Sequence, residues 1–135
     1  MRYVDVFNGD ADGICALLQL QLDSPRDGEL VTGVKRDIDL LRLVDAGAGD
    51  RVTVLDVAME KNRADLDRLL AAGASVFYVD HHFPGDIPEH AQLHAIGDLD
   101  GHEVLADRGH GAGDAAAGDD FVALRQLVQH GAMLF

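Results

Sequence analysis

Three apolar segments of this chain each end in acidic or histidine residues, and this pattern constrains the fold more than any other feature. Residues 4–7 lead toward Asp10, residues 52–55 lead into Asp56, and residues 74–79 lead into Asp80. Short apolar segments of this kind are typical of strands that are buried on both faces of a parallel sheet. Because the carboxyl ends of parallel strands meet at one edge of the sheet, the polar residues are predicted to converge there.

Helix and strand patterns alternate along most of the chain. Strands are predicted at residues 2–7, 30–34, 52–55 and 75–79, and helices at 14–22, at 60–72 and from Asp37 or Asp39 to about Gly47. This alternation predicts an α/β fold, with a parallel, Rossmann-like sheet of about four to five strands and helices on both faces.

The last third of the sequence has a different composition. Residues 97–120 are rich in Gly, Ala, Asp and His, and they are interpreted as either an atypical loop or a degraded strand. A final helix is predicted within residues 121–135, where Leu124, Leu127 and Val128 have helical spacing. With 135 residues, the chain is predicted to form a single domain.

Charge and cysteine content restrict the environment and the partners. The net charge of −13 argues against a general surface for duplex nucleic acid. No apolar segment has membrane-spanning length, and the first residues do not have the pattern of a secretion signal. Cys15, as the single cysteine, excludes an internal disulfide and fits a reducing compartment. We therefore expect a cytoplasmic domain with no membrane partner, and association into a homo-oligomer stays open.

Asp10 and Asp12 lie in a glycine-flanked turn after the first apolar segment. Gly9 and Gly13 allow the backbone to turn sharply beside them. Two carboxylates this close repel each other unless a cation lies between them, which favours hard divalent ions such as Mn²⁺ or Mg²⁺. A solvated acidic turn is the alternative.

The residues after the other two segments extend the same chemistry. Asp56 has three interpretations: a bridge between two metal ions, a phosphoryl acceptor, or a cap of the next helix. His81 and His82 are candidate metal ligands or substrate contacts, and Asp80 is a candidate partner that orients an imidazole by accepting its other N–H.

With these residues placed, the chain resembles the DHH phosphoesterase superfamily, which includes RecJ-type exonucleases, oligoribonucleases, and manganese pyrophosphatases and exopolyphosphatases. The first motif of that family matches residues 8–13, the second matches Asp56, and the third matches Asp80, His81 and His82. The resemblance extends over residues 2–96. It implies a hydrolase with two metal ions, usually Mn²⁺, in which a water that bridges the metals attacks phosphorus.

The resemblance also implies roles for single residues. Asp56, His81 and His82 match catalytic positions, and Asp10, Asp12, Asp56 and His81 or His82 match metal ligands. For the downstream acidic motif the best match is Asp119, with Asp98 as the fallback. Many relatives have a His where this chain has Val6, so Asn8 or water is left to complete that coordination shell.

Members of this family usually carry a second, substrate-gripping domain, which we expect this chain to lack. The implied partner is a phosphate-containing small molecule or a short oligonucleotide. Alternatives are a receiver-like phosphorylation switch, a haloacid-dehalogenase-like phosphatase, and a non-catalytic fragment that binds metal or partners. The first two need a later Lys at a strand end, whereas this chain has Asp80, His81 and His82 there.

Overall fold

The sheet is the framework on which the candidate site is built. The computed structural model describes residues 1–34, 36–82, 85–99 and 102–107. Among these residues the strands are β1 (Tyr3–Asn8), β2 (Glu29–Gly33), β3 (Arg51–Leu55), β4 (Ser75–Asp80), β5 (Leu93–Leu99) and β6 (His102–Asp107), and the α-helices are α1 (Ala11–Asp23) and α2 (Arg63–Ala71). The strand order is β2-β1-β3-β4-β5-β6, and β1 to β5 are parallel. The predicted α/β fold with a parallel sheet and helices is confirmed.

The strand order reverses direction at β1. The chain first places β2 on one side of β1 and then crosses to β3 on the other side. Phe7, Leu55 and Val79 are register partners across β1, β3 and β4, so these three strands end at the same level. In doubly wound sheets, ligands bind in the crevice beyond the strand ends at such a reversal point.

Apolar side chains are buried on both faces of the sheet. On one face α1 packs through Ala16 and Leu20 against Phe7 and Leu55. On the other face Leu66 and other residues of α2 join the valines of β1, β3 and β4. The larger cluster on this second face includes Val4, Val6, Val52, Val54, Val76 and Tyr78, together with Leu40, Leu41, Val44, Leu66, Leu69 and Leu70.

A buried polar network interrupts the α1 face. Asp5 of β1 is fully buried, and its carboxylate accepts hydrogen bonds from Arg26 (2.7 Å) and Gln21 (3.0 Å). Arg26 also donates to the hydroxyl of Thr53 at 3.0 Å. These bonds compensate the cost of burying the Asp5 carboxylate inside a sheet.

The helix predicted from Asp37 or Asp39 to about Gly47 does not form as a regular helix. Only Leu40–Leu43 form a 3₁₀ turn, and the Asp39 side chain makes no capping hydrogen bond. The backbone of this segment bonds instead to side chains of other elements. Asn62 bonds to the carbonyl of Ile38 and the amide of Leu41, and Arg68 donates to the carbonyls of Leu41 and Val44. These tertiary bonds replace a helical ladder.

The first part of the tract 97–120 is strand, not the loop that was one of the two interpretations. It contains the end of β5 and all of β6, which pairs antiparallel with β5. β6 is thus a sixth strand beside five parallel ones, and the five agree with the four to five strands predicted for the parallel sheet. β6 mixes charged and apolar residues, as antiparallel strands commonly do, and so does not resemble a buried parallel strand. The remainder of the tract and the predicted helix within 121–135 lie outside the described residues.

Among the residues that the structure describes, no helix is long and apolar enough to cross a membrane.

Candidate metal centre

The acidic and histidine residues predicted from the three strand ends converge into two adjoining groups. In one, ligand atoms of Asp10, Asp12 and Asp56 lie within 4.8 Å of one another. In the other, the same is true of Asp56, Asp80, His81 and His82. Asp56 belongs to both groups, so the two groups meet at a single carboxylate.

The first group is organised by the turn between β1 and α1. The side chain of Asn8 accepts a hydrogen bond from the amide of Asp10 at 3.2 Å. The Asp10 carboxylate accepts one from the amide of Gly13 at 3.0 Å, which makes Asp10 the N-cap of α1. Asp10 is thus a helix cap and a candidate ligand at once, while Asp12 lies exposed in the first turn of the helix.

Gly9 and Gly13 are required by close backbone contacts rather than by unusual dihedral angles. The amide of Gly9 donates to the carbonyl of Gly33 at 3.1 Å, and a Cβ on Gly9 would lie 2.1 Å from that oxygen. A Cβ on Gly13 would lie 2.0 Å from the carbonyl oxygen of Asn8. These contacts hold the acidic turn against β1 and β2.

Asp56 combines two unfavourable features, a buried carboxylate and a left-handed backbone conformation. Its side chain is only 2 % exposed, and its φ of 58° makes it the one non-glycine residue with positive φ in the part of the chain that the structure describes. Its amide donates to the carbonyl of Val79 at 2.9 Å. Asp tolerates the left-handed region better than most residues, yet such a conformation in a buried carboxylate is typical of functional sites.

The charge state of Asp56 responds to its surroundings. The pKa of Asp56 is raised to about 6, mainly by burial and then by the negative charge of Asp10, while His81 acts in the opposite direction. The Nε2 atom of His81 lies 3.0 Å from Oδ1 of Asp56, although that oxygen has no hydrogen-bond partner of acceptable geometry. The ionised form of Asp56 is therefore short of compensating positive charge.

Asp80, His81 and His82 form the second group at the end of β4. Asp80 is buried, whereas His81 and His82 are exposed to solvent at the rim. Oδ1 of Asp80 lies 2.6 Å from Nδ1 of His82, and Oδ2 of Asp80 is buried with no hydrogen-bond partner. The two imidazole rings pack edge to face with their centroids 4.5 Å apart.

These residues fit a divalent cation. Asp56 and Asp80 each place a buried carboxylate oxygen without a hydrogen bond in the site, and a bound cation would compensate such oxygens. Carboxylate oxygens suit hard ions such as Mn²⁺ and Mg²⁺, and imidazole nitrogens are accepted by many divalent transition metals.

The structure brings together most of the predicted site residues. Asn8 lies at the start of the acidic turn, where its side-chain oxygen accepts a hydrogen bond from the amide of Asp10. Asp56 caps no helix of the described chain, since Asn62 is the residue before α2. Asp98 lies in β5, one residue beyond Gly97, the register partner of Asp80. Asp119 lies outside the described residues.

Sequence reasoning missed two buried side chains that support the Asp56 turn. The hydroxyl of Tyr78 donates to the carbonyl of Val57, and Asn62 donates to the carbonyl of Ala58 at 2.8 Å. A tyrosine inside a strand of otherwise apolar residues was the available signal, because a buried hydroxyl requires a partner.

Comparisons of this chain with protein-family models, with curated proteins and with solved structures find no match.

Proposed function

We propose that the chain is a divalent-metal-dependent phosphoesterase of the DHH type, which hydrolyses a phosphodiester or phosphoanhydride bond. The observation that carries this proposal is the position of Asp56 in both groups of ligand-bearing side chains. A shared carboxylate between two adjoining ligand groups is the arrangement expected of a two-metal site. The three motifs at the ends of β1, β3 and β4 support the same conclusion.

In this proposal each group of residues holds one ion. Asp10, Asp12 and Asp56 would hold one cation, and Asp56, Asp80, His81 and His82 would hold the other. When bound, such a pair of ions lowers the pKa of a shared water and neutralises charge on the phosphoryl oxygens. Mn²⁺ is the proposed metal, with Mg²⁺ as the alternative.

The residues of the chain prepare this chemistry through their charge states. Since the pKa of Asp56 is raised to about 6, its carboxylate is largely ionised at neutral pH and available as a ligand. Asp80, 2.6 Å from Nδ1 of His82, fits the tautomer in which that nitrogen carries the proton. The other ring nitrogen then has its lone pair free to act as a ligand or substrate contact.

The proposed substrate is a phosphate-containing small molecule or a short oligonucleotide, acted on in the cytoplasm. In the group at the end of β4, His81 and His82 are exposed, whereas Asp56 and Asp80 are buried. The two imidazoles therefore form the rim that an incoming phosphate meets first.

The test is a turnover panel in the presence of Mn²⁺. Short oligonucleotides, cyclic dinucleotides, pyrophosphate and polyphosphate are incubated with the wild-type chain and with the double variant His81→Ala/His82→Ala. We expect hydrolysis of at least one substrate class by the wild type and loss of that hydrolysis in the double variant. Equal turnover by both proteins, or none by the wild type, would contradict the proposed hydrolase.

A metal-binding module without turnover is the second candidate. The observation that favours it is the net charge of −13, which repels phosphate-bearing substrates over the whole chain. The two candidates differ in one result, because the module binds Mn²⁺ with no hydrolysis in the panel.

A receiver-like switch is less well supported. Its central Asp must be reached by a phosphate donor, whereas the Asp56 side chain is 2 % exposed and lies against His81.

A further inference from the structure

We propose that Tyr78 is a positioning residue for the metal centre, because its hydroxyl holds the turn that carries Asp56. The part of the inference that concerns Mn²⁺ affinity rests on the proposed function. The part that concerns amide hydrogen exchange at Asp56 does not depend on metal. Tyr78 does not belong to either group of candidate ligands. Its role is to fix the place of the carboxylate that both groups share.

Tyr78 reaches the turn from inside the core. Its side chain is 1 % exposed and belongs to the apolar cluster on the α2 face of the sheet. From there the hydroxyl donates a hydrogen bond to the carbonyl of Val57, the residue directly after Asp56.

The turn needs such support because Asp56 is held in an unfavourable state. Its φ of 58° lies in the left-handed region, and Oδ1 of its buried carboxylate has no hydrogen-bond partner. Both features favour relaxation of the backbone, which would carry the carboxylate out of the site. Surrounding contacts must therefore determine its position.

Those contacts come from three directions. The amide of Asp56 donates to the carbonyl of Val79, and Asn62 donates to the carbonyl of Ala58 from the side of α2. Tyr78 supplies the contact from the core, at the residue between these two. Of the two side chains in this set, Tyr78 therefore acts at the carbonyl nearer to Asp56.

Tyr78 also connects the two groups of the site. It lies in β4 two positions before Asp80, and both residues point to the same face because side chains alternate along a strand. A bond from β4 to the turn after β3 therefore fixes Asp56 relative to Asp80. Metal ligands on separate segments need this kind of support to keep their geometry.

The experiment compares Tyr78→Phe with Thr53→Val. The first variant removes only the hydroxyl that reaches Val57. The control also removes a buried hydroxyl, that of Thr53 in β3, which accepts a bond from Arg26. The two variants thus remove comparable groups from neighbouring strands, but only one group contacts the Asp56 turn.

Two quantities are measured in each protein. In the metal-free chain, amide hydrogen exchange at Asp56 should become about five- to tenfold faster in Tyr78→Phe, since one supporting hydrogen bond is lost. In a calorimetric titration with Mn²⁺, the affinity of Tyr78→Phe should fall about tenfold, as for other residues that support metal ligands. Thr53→Val should change neither quantity, although its Tm falls.

The outcomes separate this inference from the proposed function. If the amide of Asp56 exchanges at the same rate in Tyr78→Phe as in the wild type, the positioning role is overturned. It is also overturned if Thr53→Val changes the exchange rate and the Mn²⁺ affinity as much as Tyr78→Phe does. Wild-type Mn²⁺ affinity in Tyr78→Phe would also overturn it. A wild-type chain that takes up no Mn²⁺ would refute the metal centre, and the exchange data alone would then decide whether Tyr78 positions Asp56.

Discussion

Nε2 of His81 lies 3.0 Å from Oδ1 of Asp56, although the two residues follow different strands. This contact joins the loop after β3 to the loop after β4 at the carboxylate that both ligand groups share. The histidine lowers the pKa of Asp56, but burial and the charge of Asp10 raise it more. The ionised Asp56 carboxylate therefore lowers the stability of the metal-free chain, although the proposed function requires it.

Substitution of Asp56 by Asn should stabilise the metal-free chain at neutral pH. The pKa of Asp56 is raised from 3.8 to about 6 in the folded state, so the folded chain binds its proton more tightly than the unfolded chain does. The stabilisation that this tighter proton binding gives the folded chain is complete below pH 3.8 and is lost as the pH rises through about 6. Over this pH range the free energy of unfolding should therefore fall by at most about 3 kcal/mol.

The measurement is urea unfolding in a chelator between pH 4 and pH 8, for the wild type and for Asp56→Asn. The fall in unfolding free energy with rising pH should be smaller in the variant. Parallel pH profiles for the two proteins would show that Asp56 is not the titrating group.

The two ligand groups should lose metal separately or together, according to which residue is changed. Asp12→Ala removes a member of one group only, and we expect one Mn²⁺ ion to remain bound. Asp56→Ala removes the shared member, and we expect both ions to be lost or to bind at least about tenfold more weakly. The number of ions bound, measured by calorimetry, distinguishes these results. If each variant loses a single ion, Asp56 is not shared between the two groups.

Gly9→Ala should destabilise the acidic turn. Its new Cβ would meet the backbone oxygen of Gly33 at 2.1 Å, where no flexible side chain can move aside. We expect the free energy of unfolding to fall by about 2 kcal/mol, the usual size of an overpacking effect.

Gly47→Ala is the matched control for this substitution. Its nearest neighbour would be the carbonyl oxygen of Ala72 at 3.7 Å, an ordinary contact. Its unfolding free energy should stay unchanged or rise by about 0.5 kcal/mol, because alanine restricts the unfolded chain. Similar urea midpoints for both variants would show that the Gly9–Gly33 contact does not constrain the turn.

Arg26→Leu should destabilise the fold without changing the metal centre. The substitution leaves the fully buried Asp5 without its ion-pair partner at 2.7 Å, and we expect a loss of about 3 kcal/mol.

Arg42→Leu is the control, because Arg42 pairs with Asp39 at 2.9 Å on the exposed surface. It should cost at most about 1 kcal/mol. Thermal unfolding measures both effects, and Mn²⁺ titration below the transition should give wild-type affinity for each variant. A weaker affinity in Arg26→Leu would show that the Asp5 network supports the site after all.

The parallel strands and the convergence of their polar ends were predictable from local sequence, because buried strands have apolar segments and their ends share an edge. The details that depend on tertiary contacts were not. The segment at Leu40–Leu43 has helical spacing, but Asn62 and Arg68 take its backbone hydrogen bonds. β6 escaped detection because its charged and apolar residues mix in the way that suits an antiparallel strand. The positive φ of Asp56 could not be predicted, because a short apolar segment followed by one acidic residue does not indicate the backbone conformation of that residue.

The position of Asp56 in both ligand groups has a thermodynamic consequence for the proposed metal centre. An ion bound to one group neutralises charge on the carboxylate that the other group also uses, so the two binding events share a coupling free energy. By linkage, each ion changes the affinity for the other by the same factor. Mn²⁺ uptake by this chain should therefore depart from the curve of two independent sites, and the sign of the departure will report whether the shared carboxylate or the repulsion between the cations dominates.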